Sequence, residues 1–235
     1  MYIAHRGYSA NAPENTVAAF QQAVHKGADG IELDVHRSLD GELIVIHDEW
    51  INRTTNGEGK VADMTLGQLK AHDAGSWYSE AYRGEKIPTL SEVFECMPKE
   101  TVINVEIKNI PSFYEGIEEL VVQAIQTYER METTIVSSFD HHSLVRVKER
   151  AANVHIGLLL NSRIVKIENY LRSFQPYSVY SVHPHFRTIQ AEDVLDFKSN
   201  NLKVFPYTVN EQSDLSAMKQ FGVDGIISDS IMGES

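Results

Sequence analysis

"GIELDVHRSLDGELIVIH" runs from residue 30 to residue 47 and holds two short Val/Ile-rich stretches separated only by "LDGE". Asp-Gly between apolar runs is the strongest short-range signal for a β-hairpin. Residues 43–47 therefore return antiparallel beside the strand at 30–35. The return decides the fold, because the chain offers one strand candidate too many. The candidates are 2–5, 30–35, 43–47, 102–107, 133–138, 154–160, 178–183, 202–209 and 225–228. All are short and rich in Val and Ile, as buried parallel strands are. With the hairpin return set aside, eight strands remain, joined mainly by helical patterns. That alternation predicts an α/β fold, a (β/α)8 TIM barrel with a small insertion after the second strand.

The connections carry helix signals. "PENTVAAFQQAVHKG" (13–27) puts Pro13 near the first turn, Val17, Phe20 and Val24 on one face, and Gly27 as a stop. "TLSEVF" and "SFYEGIEEL" each begin with an S/T-x-x-E capping box, Thr89 with Glu92 and Ser112 with Glu115. No Gly/Ser linker or shift in composition divides the chain, so residues 1–235 read as a single barrel domain. The stretch at about 48–88 lacks a strong strand and reads as an insertion covering part of the barrel mouth.

Composition narrows the partners. Of 235 residues, 42% are apolar, enough for a sizeable core. Lys and Arg total 21 against 33 Asp and Glu, a formal charge of -12. Such a surface repels nucleic-acid backbones and anionic lipid heads, and no basic run offsets it. A phosphate-bearing small molecule would need a local cationic or metal-based site. Cys96, the single cysteine, lies in a helical pattern and reads as a half-buried side chain rather than a nucleophile. No apolar stretch reaches membrane-spanning length, and the first strand begins at about Tyr2, leaving no room for a signal peptide. The expected location is cytoplasmic.

Chemistry in such barrels sits at the C-terminal ends of the strands. Those ends carry His5 and Arg6, then Glu32 and Asp34, then Glu106 and Lys108. Residues two apart on a strand share a face, so Glu32 and Asp34 enter the lumen together, as do Glu106 and Lys108. Three carboxylates gathered on neighbouring strand ends need a cation among them. Oxygen donors suit one hard divalent ion, Mg²⁺ or Ca²⁺. A two-residue Asp40-Gly41 turn would set Asp34 opposite His47 and bring that imidazole beside the site. Two histidines at a metal site, His5 and His47, can supply a general acid and a general base near neutral pH. Arg6 offers a planar donor fork for phosphate, and Gly7 lets the backbone turn close to the ligand.

The other histidines read as less central. His36 should lie past the mouth, and His25, His72, His141 and His142 should be mainly solvated. His155 starts a strand, at the wrong end. His183 and His185 could line the mouth, and Trp77, Phe139 and Tyr207 could pack an apolar part of a substrate.

Six motifs now stand in one order from residue 4 to residue 229: "AHRG…PENT…AF", "GADGIELDV", "DGELIVIHD", "IPTLSEVF", "NVEIK" and "GVDGIISD". Together they resemble the glycerophosphodiester phosphodiesterase family. The resemblance implies a barrel that uses a divalent cation to hydrolyse glycerophosphodiesters to glycerol 3-phosphate and an alcohol. Carried over, it implies His5 and His47 as the acid–base pair, Glu32, Asp34 and Glu106 as metal ligands, and Arg6 and Lys108 as phosphate contacts. The sequence departs from the family at Tyr207, where Trp is usual, and in "SDSIMG" (228–233), which lacks the usual Arg/Tyr-Pro. A related phosphodiesterase acting on lysophospholipids or phosphoinositides is the nearest alternative. A non-catalytic phosphate-binding barrel is the alternative of a different class.

Overall fold

A computed structural model describes residues 1–231; the departure at 228–233 falls partly outside the described residues. All nine expected strands form: β1 (Tyr2–Ala4), β2 (Gly30–Arg37), β3 (Leu43–Val45), β4 (Val102–Ile107), β5 (Thr134–Ser138), β6 (His155–Leu160), β7 (Ser181–Pro184), β8 (Lys203–Val204) and β9 (Ile226–Ser228). Eight run parallel in the order β8-β7-β6-β5-β4-β2-β1-β9, and β3 pairs antiparallel with β2. The helices are α1 (Val17–His25), α2 (Leu66–Lys70), α3 (Leu90–Cys96), α4 (Ile117–Thr127), α5 (His141–Arg150), α6 (Ile167–Leu171), α7 (Ala191–Ser199) and α8 (Gln212–Phe221). No regular ladder joins β8 to β9, so the paired sheet is an open half-barrel. The seam is crossed by backbone hydrogen bonds: Val209 N–H donates to Ile227 O and Ile227 N–H to Pro206 O, each at 2.9 Å.

Strand alternation sorts two environments. Ile31, Leu33, Val35, Ile103, Val105 and Ile107 point outward into the main core beneath the helices. Each such side chain, fully buried, contributes about 1.5–3 kcal/mol. Their neighbours Glu32, Asp34, Asn104 and Glu106 point into the lumen, which is why β2 and β4 bury polar groups amid apolar runs. Ile3, Ile135, Phe205 and Ile227 form a separate apolar plug. The segment at 48–88 packs over its own small core, with Ile51, Val61, Leu69 and Ile87 against Ile44 and Ile46 of the hairpin.

The hairpin itself differs by one residue from the expected register. Val35 pairs with Val45 and Arg37 with Leu43, so Ile46 stands opposite Asp34 and donates its N–H to the Asp34 carbonyl. The loop has three residues, not two. Gly41 N–H bonds Ser38 O, and Gly41 takes φ +92°, the turn-plus-bulge form that also favours Asp-Gly. Helix starts shift as well. Thr16, not the Pro13 turn, caps α1, and the Thr89–Glu92 box caps α3 as expected. The Ser112–Glu115 box does not form: α4 begins after Gly116, and the Ser112 hydroxyl bonds Glu49 instead.

Candidate active site

The strand ends bring the expected residues, Asp34 excepted, to the wall of one cavity of about 130 Å³. His5, Arg6, Glu32, His47, Glu106 and Lys108 line it, with Phe139, Leu159 and Tyr207 as an apolar wall. Trp77 lies elsewhere, its indole N–H bonded to Ala74 O within the 48–88 segment.

Register explains the acidic cluster. Asp34 on β2 pairs with Glu106 on β4, and Glu32 lies two residues earlier on the same face. Oxygens of the three carboxylates lie within 4.8 Å of one another. Burial and the Asp34 charge push Glu32 well above the usual carboxylate range, and burial likewise raises Glu106 against the pull of Lys108. Asp34 is also buried, yet Lys108 and Arg6 hold it low. Lys108 Nζ lies 2.8 Å from Glu106 and 3.5 Å from Asp34; Arg6 Nε lies 3.5 Å from Asp34. Buried anions in excess of their cationic partners, all oxygen donors, fit a hard divalent cation, and these three residues could hold one.

Both histidines have a carboxylate behind them. His5 Nδ1–H donates to Asp229 at 2.6 Å, and His47 Nδ1–H donates to Asp48 at 2.6 Å. Each bond fixes a ring orientation and leaves Nε2 for proton transfer. His5 Nε2 lies 4.0 Å from Glu32. Burial opposes charge on His5, but Asp229 and Glu32 outweigh it and raise its pKa. Burial lowers that of His47, and Lys108 and Arg6 reinforce burial against Asp34. One imidazole thus keeps its proton more readily than the other.

His47 reaches the cavity by a route the hairpin count does not describe. It stands beyond the end of β3, where the chain bends. His36, buried and not out past the mouth, donates from Nε2 to the His47 carbonyl at 2.9 Å and accepts from Tyr114 OH at 2.8 Å. His141 is not simply solvated: it donates to Leu159 O and bonds Tyr170 OH. His183 is fully buried inside the barrel rather than at its mouth.

Arg6 adopts φ +55°, a conformation costing about 1–3 kcal/mol, and its N–H donates to Glu32 at 3.0 Å. Gly7 follows at φ +81°. It packs on α1 rather than beside the cavity, and a Cβ there would stand 2.7 Å from Ala19. Sequence reasoning missed the supporting shell. Asp48 adjoins His47, Asp229 sits at the end of β9, and Asn15 donates to Asp34 at 2.8 Å. Glu14 pairs with Arg6 and with Arg53, and Arg53 also grips Asp48. The strand-end rule, applied to β9, would have found Asp229.

The sequence profile of the glycerophosphoryl diester phosphodiesterase family matches residues 5–232. The chain belongs to that family. A glycerophosphodiester phosphodiesterase of Caldanaerobacter subterraneus subsp. tengcongensis is 48% identical over 97% of this chain and 93% of its own. One from Bacillus altitudinis is 39% identical over 97% of this chain and 93% of its own. Among solved structures, an Oleispira antarctica phosphodiesterase in complex with the product sn-glycerol-3-phosphate superposes with a TM-score of 0.86 at 30% identity, covering 97% of this chain and 92% of that one. Membership makes this chain a phosphodiesterase, hence a hydrolase. Among the described residues no helix is long and apolar enough to cross a membrane.

Proposed function

We propose that this enzyme hydrolyses glycerophosphodiesters to sn-glycerol 3-phosphate and an alcohol, using a divalent cation and two histidines. The observation that carries the reading is a pair of imidazoles, each backed by a carboxylate, at one cavity with three clustered carboxylates and two cationic side chains. Product bound to the Oleispira relative supports the substrate class.

Glu32, Asp34 and Glu106 would hold the cation, Mg²⁺ or Ca²⁺, which supplies Lewis-acid stabilisation of charge on the phosphoryl oxygens. Arg6 and Lys108 bind the phosphate and neutralise the charge that shifts between its oxygens. One histidine takes a proton from the attacking hydroxyl, either water or the substrate's own glycerol hydroxyl. A new P–O bond forms as the bond to the alcohol breaks, and the other histidine protonates the departing oxygen. After glycerol attack, water opens the cyclic ester by the same exchange of roles. Asp229 and Asp48 keep both rings aimed.

A second reading has its own support. A cavity of about 450 Å³ continues past Phe139 and Leu159 to Ile110, Leu160 and Ile164, and could take the apolar chain of a lysophospholipid. Turnover of glycerophosphocholine and of a lysophosphatidylcholine, after chelation and after adding Mg²⁺ or Ca²⁺, tests both. Metal-restored release of sn-glycerol 3-phosphate is expected. Metal-independent turnover overturns the cation, and no phosphodiester cleavage overturns the reading. Faster cleavage of the lipid favours the second substrate class.

A further inference from the structure

Asn104 lies on the lumen face of β4, two residues before Glu106 and beside Glu32 in the β2–β4 register. It lines the catalytic cavity, yet only 1% of its surface is exposed. One end of its amide is tied: Nδ2 donates to Ser137 Oγ at 3.1 Å. The other end is not. Oδ1 is buried and has no hydrogen-bond partner. Native proteins rarely leave a buried polar atom unpaired without a reason, and a cavity ligand is one such reason.

The surroundings restrict that ligand. The cavity's cations face carboxylates: Lys108 bonds Glu106, Arg6 bonds Glu14 through Nη1, and its Nε, without a hydrogen-bond partner, lies 3.5 Å from Asp34. Leu159 and Ile227 carry no donor, and the Tyr207 hydroxyl turns away to Leu160 O at 3.2 Å. A phosphate diester offers only acceptor oxygens and cannot satisfy an acceptor. Among the substrate's own groups, the one that can pair with Oδ1 is an O–H. Because the Ser137 hydroxyl can donate as well as accept, a turned amide would present Nδ2 instead, which a phosphate oxygen could also meet; of the substrate's groups only a hydroxyl satisfies both orientations. Size points to the smaller half of the substrate. About 130 Å³ admits a three-carbon polyol.

We propose that Asn104 reads a hydroxyl of the substrate's glycerol unit and is a specificity-determining residue for the reaction. The proposal rests on the functional reading above. A site built to pair a hydroxyl discriminates against the analogue lacking it, because the buried group is then left unsatisfied. Water is the other source of an O–H group, and it would serve every substrate alike.

Calorimetry with the metal-loaded protein separates these cases, using sn-glycerol 3-phosphate and propyl phosphate as probes. The wild type should prefer the glycerol ester. In Asn104→Leu the preference should fall roughly ten-fold, the worth of one hydrogen bond, with propyl phosphate affinity unchanged. Asn104→Ala gives the same readout if the Leu variant does not fold. An unchanged preference, or equal weakening of both probes, overturns the proposal and assigns Asn104 to structure, to a bound water or to the cation. A wild type that binds neither probe, and releases no sn-glycerol 3-phosphate from glycerophosphocholine, overturns the function instead.

Discussion

Replacing Glu32 with Gln should make the metal-free protein more stable and the metal-bound advantage smaller. The side chain keeps its shape and an oxygen for the Arg6 N–H, and loses only its charge. Carboxylate oxygens in the cluster lie within 4.8 Å of one another. Two unit charges at that separation repel by about 3.5 kcal/mol at an effective dielectric near 20. Glu32 is the least compensated of the three. Asp34 faces Lys108 and Arg6, and Glu106 faces Lys108, but among the described residues the ion-pair partner of Glu32 is the His5 ring, at 4.0 Å. Its two acidic neighbours and its burial are only partly offset, so removing the charge should gain about 3 kcal/mol. For a chain of this size that raises Tm by roughly 6–12 °C. Thermal melts in chelator at mildly alkaline pH read this directly. Excess Mg²⁺ or Ca²⁺ should then lift the wild type by about 2.7 kcal/mol at a hundredfold over Kd, and the variant much less. A variant that melts below the wild type in chelator, or gains as much from the cation, would refute the assignment of a charge-strained cation site to these carboxylates.

Other substitutions probe different parts of the molecule. Arg6→Lys should lower kcat/KM on the order of 10²-fold, because an ammonium cannot present two parallel donors; steady-state kinetics equal to wild type would remove Arg6 from the phosphate site. A p-nitrophenyl diester scarcely needs an acid, so one of His5→Ala and His47→Ala should recover much of its rate with it while the other stays slow; rescue of both or neither contradicts divided roles. Burial drops the His183 pKa to about 3, from 6.5 when unfolded. The unfolded chain then binds a proton that the folded one refuses, so stability is present above the unfolded pKa and lost as pH falls below it. Between about pH 7 and about pH 5 the wild type should lose roughly 2 kcal/mol more than His183→Gln in urea melts, and parallel losses would sink the attribution. Arg130, fully buried, donates to the carbonyls of Phe94, Met97, Pro98 and Lys99 at the end of α3. Arg130→Met should cost about 3–5 kcal/mol through orphaned acceptors, and a loss under about 1 kcal/mol in the same melts would show that the carbonyls find other partners.

The barrel was legible because buried parallel strands leave short Val/Ile runs, and all nine candidates form strands. The lumen residues were legible for the same reason: Glu32, Asp34 and Glu106 interrupt those runs with a period of two. The hairpin register was not. Asp-Gly serves both two- and three-residue loops, and the choice between them depends on Ser38 pairing with Glu42. His47 reaches the cavity through a bend held by His36, a contact without a sequence pattern. Capping boxes show a similar limit. Thr89 and Glu92 form theirs, but Ser112 finds Glu49, 63 residues away, and tertiary competition of that kind leaves no local trace. Asp48 and Arg53 likewise matter through ion pairs that only the folded loop assembles.

The bond between His5 and Asp229 joins positions 224 residues apart. On a ribosome adding about 5–20 residues per second, roughly 10–45 s separate the making of the imidazole from the making of the carboxylate that aims it. β1 also lacks its β9 neighbour throughout that interval, since Tyr2, Ile3 and Ala4 pair with Ile226, Ile227 and Ser228. Glu32, Asp34 and Glu106, with Arg6 and Lys108, are all made by residue 108, but the carboxylate that aims His5 is not. Residues 1–228 must therefore be made before this half of the proposed acid–base pair can be aimed. A nascent or truncated chain that stops short of β9 carries His5 without the means to orient it, so on the proposed mechanism the order of translation holds back turnover until β9 is made.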